Sequence, residues 1–160
     1  MRKPFLYIAI VLIIISGSCT KESIQYFQDD TSLDAPYGSW KLVSRENYAT
    51  NQVFYKDQND VQRYCNNPAG CDIILTFSRS NTANVISGHT ITNEVYGDFT
   101  FAADLRQITI TSFGGTKVGE PAWSDNIWDN ILDIGKYKIN GQYLRLYMNS
   151  KQESLTFQRL

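Results

Sequence analysis

The side chains of this 160-residue chain that are suited to chemistry are few and scattered. His89 is its single imidazole. A Ser-His-Asp relay would have to use it, with Ser87 or Thr90 as nucleophile and Glu94 or Asp98 to orient the ring. No nucleophile elbow accompanies it, and a histidine at a strand end or on the surface requires no catalytic account. Asp125, Asp129 and Asp133 recur at four-residue spacing, on one face of a candidate helix. Paired carboxylates can cleave glycosides, but like charges so placed repel mildly and a solvated face is the simpler reading. Asp57-Gln58-Asn59-Asp60 offers oxygen ligands without the glycine and distal glutamate of a calcium loop. Phe113-Gly114-Gly115-Thr116-Lys117-Val118-Gly119 lacks the Gly-Lys-Ser/Thr ending of a phosphate loop. It reads as a connection or as a contact surface for a partner. The expectation is a protein with no catalytic residue, no metal ligands and no cofactor, and with no binding residue assignable from sequence.

The elements that would carry these residues are patterned more clearly. Between Pro121 and Gly135, Trp123, Ile127, Ile131 and Ile134 recur at helical spacing, with Trp128 and Leu132 beside them. Pro121 suits the first turn, where its missing amide would have no helical partner. Gly135 can take the left-handed conformation that ends a helix. A helix with two tryptophans needs a broad apolar surface to lie against, and alternating strands supply one. Trp40 and Leu42 alternate with Lys41 and Val43, and Ile73, Leu75 and Phe77 alternate with Asp72, Ile74 and Thr76. Further strands are expected over 84–91, 97–101, 107–111 and 154–157, with a weak one at Val53-Phe54-Tyr55. Lys136 to Ile139 and Gln142 to Met148 flank Asn140-Gly141, a two-residue hairpin signal. The predicted fold is a single α+β domain, a curled antiparallel β-sheet of about seven or eight strands with one helix packed on it.

The chain opens Met1-Arg2-Lys3-Pro4, continues with an apolar run from Phe5 to Ile15, and then reads Ser16-Gly17-Ser18-Cys19. A basic start, a short apolar core and small residues make a secretory signal. The run is shorter than the roughly 20 apolar residues of a membrane-spanning helix. Small residues before a cysteine resemble the lipobox of bacterial lipoproteins, although Ser16 stands where the commonest lipoboxes carry leucine. The resemblance implies cleavage before Cys19, a diacylglycerol on its thiol and acylation of its new amino group. Each buried methylene contributes about 0.8 kcal/mol, so several chains hold a protein on a membrane. Thr20, rather than aspartate, follows Cys19, which by resemblance favours the outer membrane. The expected organisation is a signal peptide over 1–18, a lipidated cysteine and flexible tether over 19–37, and a domain over 38–160. Loss of 1–18 leaves 13 basic against 16 acidic side chains and a formal charge of −3, which argues against nucleic acid. Cys65 and Cys71 then form an even pair in an oxidising compartment, at the ends of a turn-rich loop that a disulfide could close. Half of a zinc site would need a second pair that the chain lacks.

The order of landmarks over 38–160 resembles the META domain, the HslJ-like family. The matching residues are Gly38 and Trp40, Phe77, Ser87-Gly88 as a turn, then Asn93, Gly97 and Phe99. They continue with Ile108 and Ile110, Thr116, Glu120, Tyr137 and Gly141, Leu144 and Leu146, and Phe157. Many members carry Gly-Cys before the asparagine, where this chain has Ile91-Thr92, so any pairing must be the local Cys65–Cys71 one. The resemblance implies an envelope lipoprotein domain with no established catalytic residues, loosely linked to stress tolerance. An opening Gly-x-Trp on a curled sheet also resembles lipocalin-like lipoproteins, which hold apolar molecules in a barrel. The expected function is a non-catalytic, membrane-anchored binding or interaction module with an envelope protein as partner. The alternative is a lipocalin-like carrier of a small apolar ligand. A module would have a solid core with Trp123 and Trp128 buried, a carrier an open one.

Overall fold

A computed structural model of the chain describes residues 35–67 and 70–160. The expected signal peptide, Cys19 and the tether as far as residue 34 lie outside the described residues. Strand alternation sets the architecture. In β1 (Gly38–Asn47), Trp40, Leu42 and Ser44 point inward and are buried. The short β2 (Gln52–Phe54) follows, and then the same rule buries Leu75 and Phe77 of β3 (Ile74–Arg79) and Ile86 of β4 (Asn84–His89). It buries Val95 and Phe99 of β5 (Glu94–Ala102) and Ile108 and Ile110 of β6 (Gln107–Gly115). Tyr137 and Ile139 of β7 (Ile134–Asn140), Leu144 and Leu146 of β8 (Tyr143–Met148), and Leu155 and Phe157 of β9 (Glu153–Arg159) complete the core.

From β3 to β9 each strand pairs antiparallel with the next. β1 joins the two ends, pairing with β3 over Gly38–Lys41 and with β9 over Trp40–Asn47. The result is a closed eight-stranded barrel, with β2 as an extra strand on the upper half of β1. This corrects the expected curled sheet. Alternation is the same in an open and a closed sheet, so it cannot distinguish them; closure depends on β1 serving two edges. A register shift against β9 between Leu42 and Ser44 leaves Val43 bulged, and bulges bend a strand in this way.

The lower end of the barrel, where β1 begins, is plugged. Trp40 is fully buried, its Nε1 donates to the Pro36 carbonyl at 2.9 Å, and the Arg159 guanidinium lies 4.2 Å from its ring centre. Tyr37 meets Phe101 edge-on at 5.5 Å and donates to Asn84 Oδ1 at 2.6 Å. Pro36 and Tyr37 therefore pack with the domain.

At the upper end the barrel is incomplete in strands alone. β7 pairs with β6 only at Gln107 and Lys136, with Tyr137 N donating to the Arg106 carbonyl at 3.0 Å. The upper half of β6 thus has no β7 partner. Helix α2 (Ala122–Asn130) and a 3-10 turn at Ile131–Asp133 fill the gap. Trp123, Ile127, Ile131 and Ile134 form the buried stripe the spacing predicts. Trp128 is half-buried, edge-on to Phe113 at 5.3 Å, and Leu132 is exposed. Two details differ from expectation. Pro121 caps the helix from outside in an extended conformation. Gly135 belongs to β7, at a register shift against β8 between Ile134 and Lys136 and beside the Asn149 side chain, and not to a left-handed turn. The hairpin loop is Gly141-Gln142, since Asn140 pairs with Tyr143; Gly141 has φ of +54°.

The polar stretch that begins at Asp57 contains a one-turn helix, α1 (Gln58–Val61). Asp57 caps it by accepting from Asn59 N at 2.9 Å, and Val61 is fully buried. Cys65 and Cys71 are joined by a disulfide just beyond it.

Ser87-Gly88 lies inside β4 rather than in a turn. Gly88 has φ of +151°, and a Cβ there would sit 2.0 Å from the Ile74 backbone carbonyl oxygen. Gly88→Ala should therefore destabilise the fold by about 1–3 kcal/mol or more. Urea unfolding at equilibrium measures this, and a wild-type midpoint would mean that β3 and β4 do not approach so closely.

Candidate functional site

The upper end gathers most of the polar side chains that the fold holds in place. Arg45 of β1 donates through Nη1 to Asn126 Oδ1, pinning α2 across the barrel. A cleft opens on each side of the helix.

On one side, the turn Thr90–Asn93 joins β4 to β5, and the loop from Thr116 to Pro121 leads into α2. Asn93 is buried and clamps the two together. Its Oδ1 accepts from Val118 N at 2.7 Å and from Thr116 Oγ1 at 3.1 Å. Its Nδ2 donates to the Val118 carbonyl at 2.9 Å and to Glu120 Oε1 at 2.6 Å. Glu120 Oε1 also accepts from the Thr90 hydroxyl and from Trp128 Nε1 at 3.2 Å. Glu120 Oε2 is buried without a formed hydrogen bond, as is the Ser124 hydroxyl. Burial would raise the Glu120 pKa, but donation from Asn93, then Thr90 and Trp128, outweighs it and holds the carboxyl below its ordinary value. The cleft beside this latch encloses about 560 Å³, with Lys117, Asp125, Trp128 and Asp129 on its walls. Burial, then the charges of Asp129, Glu120 and Asp60, push Asp125 up.

On the other side, β2 and α1 face α2 across a cleft of about 480 Å³. Phe54, Tyr55 and Trp123 line it, together with Arg45, Arg63, Asp57, Asp60, Asn59 and Asn126. The Arg45 guanidinium lies over the Phe54 ring, 4.6 Å from its centre.

Of the residues considered for a relay, His89 and Glu94 are opposed across β4 and β5, and Ser87 lies two residues before His89 on β4. His89 is exposed at the end of β4, with Nδ1 3.1 Å from the Thr90 carbonyl oxygen. Asp98 accepts from the Ser112 hydroxyl at 2.8 Å, and the Thr90 hydroxyl serves the Asn93–Glu120 latch. Asp133 accepts from Ser150 Oγ at 2.6 Å, which sets it apart from Asp125 and Asp129. Among the described residues no group of three or more His, Cys, Asp or Glu is placed to hold a metal ion. Cys19 lies outside the described residues. Sequence reasoning weighed Thr90 only as a nucleophile and missed the β2–α1 cleft; aromatics inside a polar stretch, Tyr48 to Tyr64, were the available signal.

No family model matches the chain, and no curated protein matches it. Solved structures do resemble it. The NMR structure of a protein from Burkholderia xenovorans is 18% identical, covers 84% of this chain and 97% of its own, and superposes with a TM-score of 0.56. The crystal structure of a DUF4847 family protein from Bacteroides vulgatus is 14% identical, covers 76% of this chain and 91% of its own, with a TM-score of 0.52. At these identities the likeness is one of fold.

The depressed Glu120 pKa makes the latch sensitive to acid. A carboxyl with a folded pKa below its unfolded value contributes stability above the unfolded value, about 4.3 for glutamate, and loses it as pH falls through the folded one. Unfolding free energy measured between about pH 3 and pH 6 should therefore fall less steeply for Glu120→Gln than for the wild type. Asp125, pushed up, acts in the opposite direction in both proteins. Identical slopes for the two would sink the latch.

Proposed function

We propose that the protein is a lipid-anchored, non-catalytic binding module of the bacterial cell envelope, which meets its partner with the upper end of a filled barrel. One observation carries this reading: the side chains that point into the barrel fill it. Trp40, Leu75, Ile108, Ile127, Leu144, Leu146 and Phe157 are all at 0% exposure in one continuous cluster. A barrel of eight strands is just wide enough for its own side chains to occupy. The architecture is compatible with a lipocalin-like carrier, but Trp40 with Arg159 below and Trp123 with Ile127 above occupy the volume such a ligand would need.

The META reading gains support from convergence. Asn93, Thr116 and Glu120, separated in the sequence, meet in one hydrogen-bonded latch, and Trp40, Phe77, Leu144, Leu146 and Phe157 share the core. Anchoring at an outer membrane rests on the residues around Cys19, and a link to envelope stress tolerance rests on the family resemblance. The described chain starts at the plugged lower end, opposite α2 and its two clefts, so an anchor preceding it leaves the clefts free to face a partner.

Native mass spectrometry of residues 20–160, purified from the oxidising compartment of its host, should give the bare chain mass less the two hydrogens of the Cys65–Cys71 bond. An added mass that leaves on denaturation would put the carrier ahead. Cys19→Ala should move the protein from the membrane to the soluble fraction, and retention of this variant on membranes would refute lipidation.

A further inference from the structure

We infer that the cleft between β2, α1 and α2 binds a neutral saccharide. The inference names the ligand class of the upper-end surface and rests on the module reading above. The exposed rings of Tyr55 and Phe54, above the largely buried Trp123, meet planar hydrogen-bonding groups in this cleft. Its two arginines, Arg45 and Arg63, are balanced by Asp57 and Asp60. A site whose charges cancel offers neither an anion nor a cation a net attraction, but it offers both donors and acceptors to a neutral polar molecule. Sugars combine a face of C–H bonds, which suits an aromatic ring, with a rim of hydroxyls, which suits carboxylates, amides and guanidinium groups. The cleft across the helix differs: Glu120, Asp125 and Asp129 face a single Lys117.

The volume, about 480 Å³, is within the usual range of small-molecule sites, about 300–1,000 Å³. The walls are also fixed before any ligand arrives. Arg45 is held by Asn126 and by the Phe54 ring. Lys56, next to Tyr55, donates to Asp72 Oδ1 at 2.8 Å and to the Cys71 carbonyl at 3.1 Å. Val61 roots α1 in the interior, and the Cys65–Cys71 bond closes the loop behind it. A rigid wall loses little entropy on binding. Yet this wall leaves Tyr55 65% and Phe54 38% exposed, apolar surface that a rigid fold keeps open to water at a cost.

Backbone amide NMR of residues 20–160 tests the inference, with N,N′-diacetylchitobiose, cellobiose and maltose as neutral probes and trilysine and triglutamate as charged ones. At least one sugar should give saturable shifts centred on Phe54, Tyr55, Asp60 and Arg63. Tyr55→Ala should weaken that binding about tenfold or more, with the amide spectrum elsewhere unchanged. Joint Cys65→Ser and Cys71→Ser replacement, which frees the wall, should weaken it as well. The inference fails if no sugar shifts these residues at tens of millimolar. It also fails if a charged peptide binds the cleft more tightly, if Tyr55→Ala binds sugar as well as the wild type, or if an envelope protein cross-links through position 55 while sugars leave it unmoved. A bare native mass alongside any of these results would retire the saccharide and leave the module reading standing. A ligand retained inside the barrel would retire the module reading itself.

Discussion

β1 is paired along both edges, and the rest of the molecule depends on it. With β3 on one side and β9 on the other, it joins the start of the sheet to its end and removes both free edges. Closing a sheet requires strands to tilt and stagger, and here the barrel is thinnest between β6 and β7. β7 slides along β6 until a single residue pair remains, and the upper half of β6 is left without a strand. Helix α2 occupies that gap, and its position creates a cleft on each flank. Closure, gap, helix and clefts are steps of one geometric argument, with the bulge at Val43 as its first requirement.

Much of this was legible in the sequence, and what was not has a physical reason. Nearly every strand was marked by alternation, and the stripe of Trp123, Ile127, Ile131 and Ile134 marked the helix because one buried face repeats at its period. Closure left no mark, since an inward residue looks the same in a curled sheet and in a barrel. Gly135 and the Ser87-Gly88 pair suggested local chain reversal, whereas Gly88 lies against the Ile74 carbonyl of the neighbouring strand and Gly135 beside the Asn149 side chain. A glycine reports that a Cβ is excluded, without saying by what. The short α1 was hidden because three of its four residues are polar and Val61 alone enters the core.

Asn93 shows a different limit. Its amide binds the backbone of Val118 and the side chains of Thr116 and Glu120, so one buried polar side chain fixes a loop whose Val118 is exposed. Buried polar groups of this kind are stable when every donor and acceptor is met and costly otherwise. From the sequence the asparagine reads as one of many in loops. The latch becomes visible when the β4–β5 turn and the loop before α2 are brought side by side, and that juxtaposition follows from the pairing of β5 with β6.

The pairing of β1 with β9 also sets a timetable. The strand that begins at Gly38 finds one of its partners only when Glu153–Arg159 is present, so a chain emerging from its N-terminus first holds β1 half-satisfied until almost the last residue appears. Trp40 waits equally long for Arg159 to cover it. Contacts so distant along the chain make folding slow relative to helical domains of similar size. Through that interval the nascent protein carries an open strand edge and a bare indole, features that attract other chains. For this barrel the vulnerable period is its birth, and it ends only when the final strand is free to pair with β1.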